Sequence, residues 1–70
     1  MTPPMQITLN GSAHRIDRPM TLSDLLDSLG LGGKPVVIEM DEQAVFPRNY
    51  ADTGVKEGSR VEIVTLAAGG

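Results

Sequence analysis

One stretch of this 70-residue chain repeats its apolar positions at helical spacing: Leu22, Leu25, Leu26 and Leu29 fall at i, i+3, i+4 and i+7. A single stripe of this width covers one face of one sheet, so the rest of the chain must supply strands and the sheet's other face must meet solvent or a partner. Both ends of the helix are written locally. Thr21 followed by Asp24 has the spacing of an N-cap with an acid near the positive end of the helix dipole. Gly30 suits the left-handed residue that closes a helix, and Leu31 the apolar contact just beyond it. Ser23, Asp24, Asp27 and Ser28 face water, while Gly32, Gly33 and Lys34 form a connector that Pro35 keeps from returning to helix.

Upstream, Met5, Ile7 and Leu9 alternate with Gln6 and Thr8 and run into Asn10-Gly11, the dipeptide suited to a type I′ turn. The return strand, Ser12 to Asp17, carries Ala13, Arg15 and Asp17 on one side and His14 and Ile16 on the other, as a half-exposed strand near an edge would. Val36 to Met40 is β-branched and apolar enough for a strand covered on one face and partly on the other. A turn at Asp41-Glu42-Gln43 leads to a short edge strand, Ala44 to Phe46, stopped by Pro47. Arg48 to Gly54 reads as loop with a single helical turn. After a tight turn at Lys56-Glu57-Gly58-Ser59, Arg60 to Leu66 places Val61, Ile63 and Thr65 opposite Glu62, Val64 and Leu66. Right-handed crossovers and neighbour pairing then favour a central first strand with the last strand parallel beside it. The reading is α+β, a ubiquitin-like β-grasp: a mixed sheet of about five strands over residues 5–66, a loose leader at 1–4 and a flexible tail at 67–70.

The absence of cysteine excludes a disulfide framework, a thiolate metal site and a Cys nucleophile, and fits the cytoplasm. No apolar run approaches the roughly 18 residues that span a bilayer, and the first residues lack the pattern of a signal peptide. A net charge of −3 has the wrong sign for nucleic acid. One Phe, one Tyr and no Trp make the core aliphatic and leave little volume for an enclosed substrate cavity. Catalytic and metal constellations do not assemble. His14, the single histidine, sits among small and polar residues with nothing to orient it and reads as a surface side chain. Asp24, Asp27, Asp41 and Glu42 are solvated acids without ligand spacing. The segment from Gly30 to Lys34 leaves a helix rather than entering one, unlike a phosphate-binding loop.

The C-terminal segment Ala67-Ala68-Gly69-Gly70 stands apart, because its residues are too small to anchor the chain to a core. Its plain reading is a frayed end. Its chemical reading is a backbone narrow enough for a channel that admits no Cβ, presenting the Gly70 carboxylate for reaction. A carboxylate is inert until phosphoryl or adenylyl transfer supplies a leaving group, after which sulfur or nitrogen can attack. The chain is then a carrier or co-substrate and not an enzyme.

The element order and this ending resemble the ThiS family, the ubiquitin-like sulfur carriers of thiamine biosynthesis. The resemblance covers Met5 to Gly70 and rests on Met5-Gln6-Ile7, Thr21 to Leu26, Val45-Phe46-Pro47-Arg48, Lys56 to Val64 and the terminal diglycine. It implies that an E1-like adenylyltransferase, ThiF, uses ATP and Mg²⁺ to adenylate Gly70, and that a persulfide donor converts it to a thiocarboxylate. It implies further that the thiocarboxylate gives its sulfur to thiazole synthase, ThiG, which builds the thiazole from deoxyxylulose phosphate. Gly70 is then the modified residue, Gly69 gives steric access, and Ala67 and Ala68 are the tether. The carrier binds no cofactor of its own and is most simply a monomer. Family members often begin at the residue matching Met5, which makes the first four residues an extension or a start-site choice, and the turn at Asp41 to Gln43 reads as slightly longer than usual.

Val64 and Leu66, alternating away from Val61 and Ile63 at the root of the tail, are candidates for a partner surface. Phe46 and Arg48 are a second candidate, against the plainer reading that Arg48 pairs with Asp52 or Glu57. The small subunit of molybdopterin synthase is the nearest rival, but its approach to the glycines is rich in Phe and Pro, unlike Thr65-Leu66-Ala67-Ala68. A β-grasp binding module with an inert tail and a modifier that forms isopeptide bonds are the rivals from other classes.

Overall fold

The computed structural model describes residues 4–66. Strands β1 (Met5–Leu9) and β2 (Ser12–Ile16) form an antiparallel hairpin with Leu9 opposite Ser12. Between them Asn10 and Gly11 have φ of 50° and 82°, as the type I′ turn requires. The chain continues through a short β3 (Met20–Thr21) into the helix α1 (Leu22–Ser28). Next come β4 (Val36–Met40), β5 (Gln43–Val45), a 3-10 turn at Pro47–Asn49, β6 (Gly54–Val55) and β7 (Arg60–Thr65).

Helix α1 has only seven residues, too few to persist alone. Its caps and its buried leucines hold it. The Thr21 hydroxyl accepts from the Asp24 N–H at 3.1 Å while the Asp24 carboxylate accepts from the Thr21 N–H at 3.3 Å, completing the capping box. At the other end the Gly30 N–H donates to Asp27 O at 3.1 Å and the Leu31 N–H to Leu26 O at 2.8 Å, with Gly30 at φ 75°. This is the Schellman pair of bonds. Leu22, Leu25 and Leu26 are buried against Ile7, Ile38, Val61 and Ile63 of the sheet.

The sheet order is β2-β1-β7-β4-β5, with β1 and β7 parallel and the other pairs antiparallel: a mixed five-stranded β-grasp carrying one helix on one face. The parallel pairing is the one expected, but the central place belongs to β7 and not to β1. Each hairpin brings one strand to β7, β1 on one side and β4 on the other, so the last strand is flanked by both.

Four strand ends and one ribbon differ from expectation. The second hairpin turns on two residues, Asp41 and Glu42, with φ of 51° and 71°, so β5 begins at Gln43 and ends at Val45, before Phe46. A left-handed conformation costs a residue with a Cβ about 1 kcal/mol or more. Asp41 offsets this by donating its N–H to Arg60 O at 2.8 Å and accepting the Arg60 N–H on Oδ1 at 3.0 Å. Strand β2 stops at Ile16 and β7 at Thr65. Finally, β3 and β6 pair as a separate two-stranded ribbon within what reads as loop, with Met20 opposite Val55. That ribbon and the 3-10 turn bury Val55 and Tyr50 in the core.

Candidate functional site at the root of the C-terminal segment

Residues 67–70, which include Ala67, Ala68, Gly69 and Gly70, lie outside the described residues, as do residues 1–3 of the expected leader. The described structure fixes the point from which residues 67–70 depart. Strand β7 is the central strand of the sheet, and its hydrogen-bonding directions alternate strictly. The Leu66 N–H donates to Pro35 O at 3.0 Å, and the Asp41 N–H to Arg60 O at 2.8 Å. In that ladder Arg60, Glu62, Val64 and Leu66 aim their backbone groups at β4, and Val61, Ile63 and Thr65 aim theirs at the β1 side.

On the β1 side the support is unequal. Asn10 N–H donates to Val61 O at 2.9 Å. Beyond that the hairpin turns away, and the Asn10 side chain takes over. Its Oδ1 accepts the Ile63 N–H at 2.7 Å and its Nδ2 donates to Ile63 O at 3.2 Å. The side-chain amide thus copies a peptide group and extends the parallel pairing one step past the end of β1. Asn10 was legible as a turn residue; its second task, spanning 53 residues of sequence, was not.

Val64 and Leu66 are exposed as expected, at 58% and 50%, but they do not share one surface. Val64 lies on the sheet face away from the helix, directly opposite Val37 of β4, itself 49% exposed. Next along the same face Glu39 and Glu62 stand opposite each other, with Arg60 only 3.8 Å from Glu42. Leu66 instead lines an open groove of about 510 Å³ with Pro35, Pro47, Tyr50 and Leu26. Pro47 brings the second candidate pair close to this groove. Phe46 is 54% exposed, and the Arg48 guanidinium sits over its ring at 5.1 Å from the centroid. Among the described residues Arg48 has no ion pair with Asp52 or Glu57; stacking on Phe46 takes that place.

The remaining polar groups do not assemble into a reactive centre among the described residues. His14 is half-buried opposite Ile7 on the edge strand rather than fully at the surface, and its side chain has no hydrogen bond or ion pair with another described residue. No group of three potential metal ligands occurs among them. Tyr50 is 91% buried by accessible area, its hydroxyl without a described partner, and burial pushes its pKa above the ordinary 10.0. No described helix is long and apolar enough to cross a membrane.

The model of the ThiS family matches residues 7–70, from β1 through the diglycine. The chain belongs to the ThiS family. A ThiS crystal structure from Geobacter metallireducens, a thiamine biosynthesis protein, superimposes with a TM-score of 0.81 at 26% identity, covering 94% of this chain and 100% of that one. A solution structure of a thiamine biosynthesis protein from the same organism gives 0.79 at 26% identity, over 94% of this chain and 88% of that one. A thiazole synthase of Paramagnetospirillum magneticum is 32% identical over 66 residues, which is 94% of this chain and 20% of the relative. A thiazole synthase of Magnetococcus marinus matches with the same identity and coverage. The chain therefore spans about a fifth of the length of these two relatives. Membership in the ThiS family makes it a thiamine-related sulfur carrier.

Proposed function

We propose that the chain carries sulfur as a thiocarboxylate on Gly70 and delivers it to thiazole synthase. The observation that carries the reading is the position of β7. The strand that leads directly into Ala67-Ala68-Gly69-Gly70 is the central one, held by β4 on one side and by β1 and Asn10 on the other up to Ile63. A rigid body that ends in four small residues can be gripped by an enzyme while its terminus reaches a site the body cannot enter.

The chemistry follows from the carboxylate's need for a leaving group. In the first step a Gly70 carboxylate oxygen attacks the α-phosphorus of ATP, bound with Mg²⁺ on ThiF, and pyrophosphate leaves. The terminal sulfur of a persulfide then attacks the acyl carbon, forming a C–S bond as AMP departs. A thiol attacks the sulfur–sulfur bond of that acyl disulfide, taking up the persulfide's own sulfur as a disulfide and freeing the thiocarboxylate. ThiG, the thiazole synthase, accepts the sulfur. The two relatives in which a ThiS-like stretch forms part of a longer thiazole synthase support this acceptor. Val64 on the open face, Leu66 in the groove it shares with Pro47, and the exposed Phe46 and Arg48 that flank Pro47 in sequence supply the partner surface, and the chain provides no cofactor or catalytic group of its own.

The test is intact mass after incubation with the thiamine-pathway adenylyltransferase, ATP, Mg²⁺ and a persulfide source. The expected result is the gain of one sulfur for one oxygen, absent when Gly70 is deleted. An unchanged mass beside an enzyme that converts its own carrier overturns the reading.

A further inference from the structure

Thr65 is the one residue at the end of β7 whose backbone groups face the β1 side without a described partner. The ladder to β4 aims Val64 and Leu66 at β4, with the Leu66 N–H on Pro35 O. Thr65 therefore aims its N–H and C=O the other way, toward the side that β1 leaves at Asn10. The Asn10 amide satisfies Ile63 there and reaches no further. Thr65 is exposed, and no proline, lysine or bulge blunts the edge at that point. On either side of it Val64 and Leu66 offer half-exposed apolar side chains, Val64 on the open face and Leu66 in the groove.

We propose that this edge is a β-addition site, and that its occupant is an extended segment of the adenylyltransferase that activates Gly70. The inference rests on the reading of Gly70 given above. Main-chain bonds to an exposed edge supply affinity while alternate side chains supply specificity, which is the arrangement Thr65, Val64 and Leu66 present. The position also suits the task. A strand added beside Thr65 continues the sheet where the Asn10 clamp ends and grips the chain immediately before Ala67, fixing the direction in which the diglycine enters a site.

Amide hydrogen exchange on the unmodified, isotope-labelled chain, free and bound to the thiamine-pathway adenylyltransferase, tests this directly. The Thr65 N–H exchanges fast in the free chain and becomes protected in the complex, whereas the Leu66 N–H, already bonded to Pro35 O, is protected in both. A second measurement replaces the Thr65 amide by an ester through ligation of the C-terminal segment, which deletes this donor and keeps the Leu66 N–H bond to Pro35 O, while weakening the Val64 carbonyl as an acceptor toward β4. Binding is therefore compared well below the thermal midpoint of both chains, where losing one such bond weakens it by about threefold to tenfold. Equal exchange of Thr65 in free and bound chain, or equal affinity of the ester, overturns the edge site. Protection of Thr65 in the free chain at high concentration, with a dimer by sedimentation, assigns the edge to a second copy and equally overturns it. Failure of the edge site leaves the sulfur mass gain intact, while failure of the Gly70 reading removes the mass gain from the unmodified chain itself.

Discussion

The two faces of the sheet are built from the same strands and do opposite things. On the helix side Ile7, Ile38, Val61 and Ile63 are buried together with all three inward leucines of α1. On the other side their immediate neighbours, Val37 and Val64, pair across β4 and β7 and remain about half exposed, with Glu39 opposite Glu62 beyond them. Because successive side chains of a strand point to opposite faces, one residue of β7 belongs to the fold and the next is free for a partner. A small domain with one helix cannot cover both faces, so this division follows from its size as much as from its function.

Substitution on the covered face has the largest expected effect. Ile38 is fully buried between neighbours on both flanking strands, and Ile38→Ala removes three carbons from a close-packed site. A loss of about 2–5 kcal/mol is expected. For a domain of this size each kcal/mol lowers the thermal midpoint by roughly 4–8 °C. Calorimetry checks it, and a loss below about 1 kcal/mol would mean that the covered face is not the structural one.

Asn10 lies between the two faces and sharpens the contrast, because its two tasks separate by substitution. Asn10→Gly keeps the positive φ and deletes the clamp on Ile63, leaving that N–H and C=O without the side-chain amide. About 1–2 kcal/mol is expected for the two bonds. Asn10→Ala loses the turn preference as well, adding about 1 kcal/mol. Equal midpoints for Asn10→Gly and the parent chain would remove the clamp from the account. Exchange of the Ile63 amide reports it separately from global unfolding.

Local signals made most of this architecture readable, and distance hid the rest. Thr21 with Asp24, Gly30 with Leu31, and Asn10 with Gly11 each act within a few residues, and all three placed their elements correctly. The turn at Asp41-Glu42 reads one residue too long, since Glu42 is an unusual residue for the left-handed region and the bonds that brace Asp41 reach Arg60, 19 positions away. Strands β3 and β6 have two residues each and no period to detect, so Tyr50 and Val55 read as loop although they fill the core. For the candidate site, the exposure of Val64 and Leu66 followed from alternation. Their separation onto the open face and the groove did not, because Leu66 lies past the end of the strand that sets the alternation.

Tyr50 tests how well the covered side is closed. Its hydroxyl is buried without a described partner, so Tyr50→Phe removes an uncompensated polar group and leaves stability unchanged or up to about 1 kcal/mol higher. The pH dependence gives the sharper sign. Burial raises the folded pKa above 10.0, so on raising the pH the unfolded chain releases this proton first. The contribution is present in full below pH 10.0 and is lost as the pH rises through the folded value. Thermal midpoints across that window fall in the parent chain and fall less in Tyr50→Phe. Equal slopes would place the hydroxyl in contact with water.

The smallest stability effect is expected on the open face. Val64→Thr keeps the β-branched shape that suits a strand and exchanges a methyl for a hydroxyl at a position already 58% exposed, so a change within about 0.5 kcal/mol is expected. Binding should respond differently. If Val64 and Val37 meet an apolar surface on the adenylyltransferase or the synthase, the hydroxyl is taken out of water against it and affinity falls by about threefold to tenfold. Titration of each enzyme with parent and Val64→Thr chains measures this. A midpoint unchanged together with an affinity unchanged leaves the open face solvated in the complex and confines recognition to the groove at Leu66 and the edge at Thr65. A large loss of stability would break the division of the two faces itself, since it would make Val64 a structural residue despite its exposure.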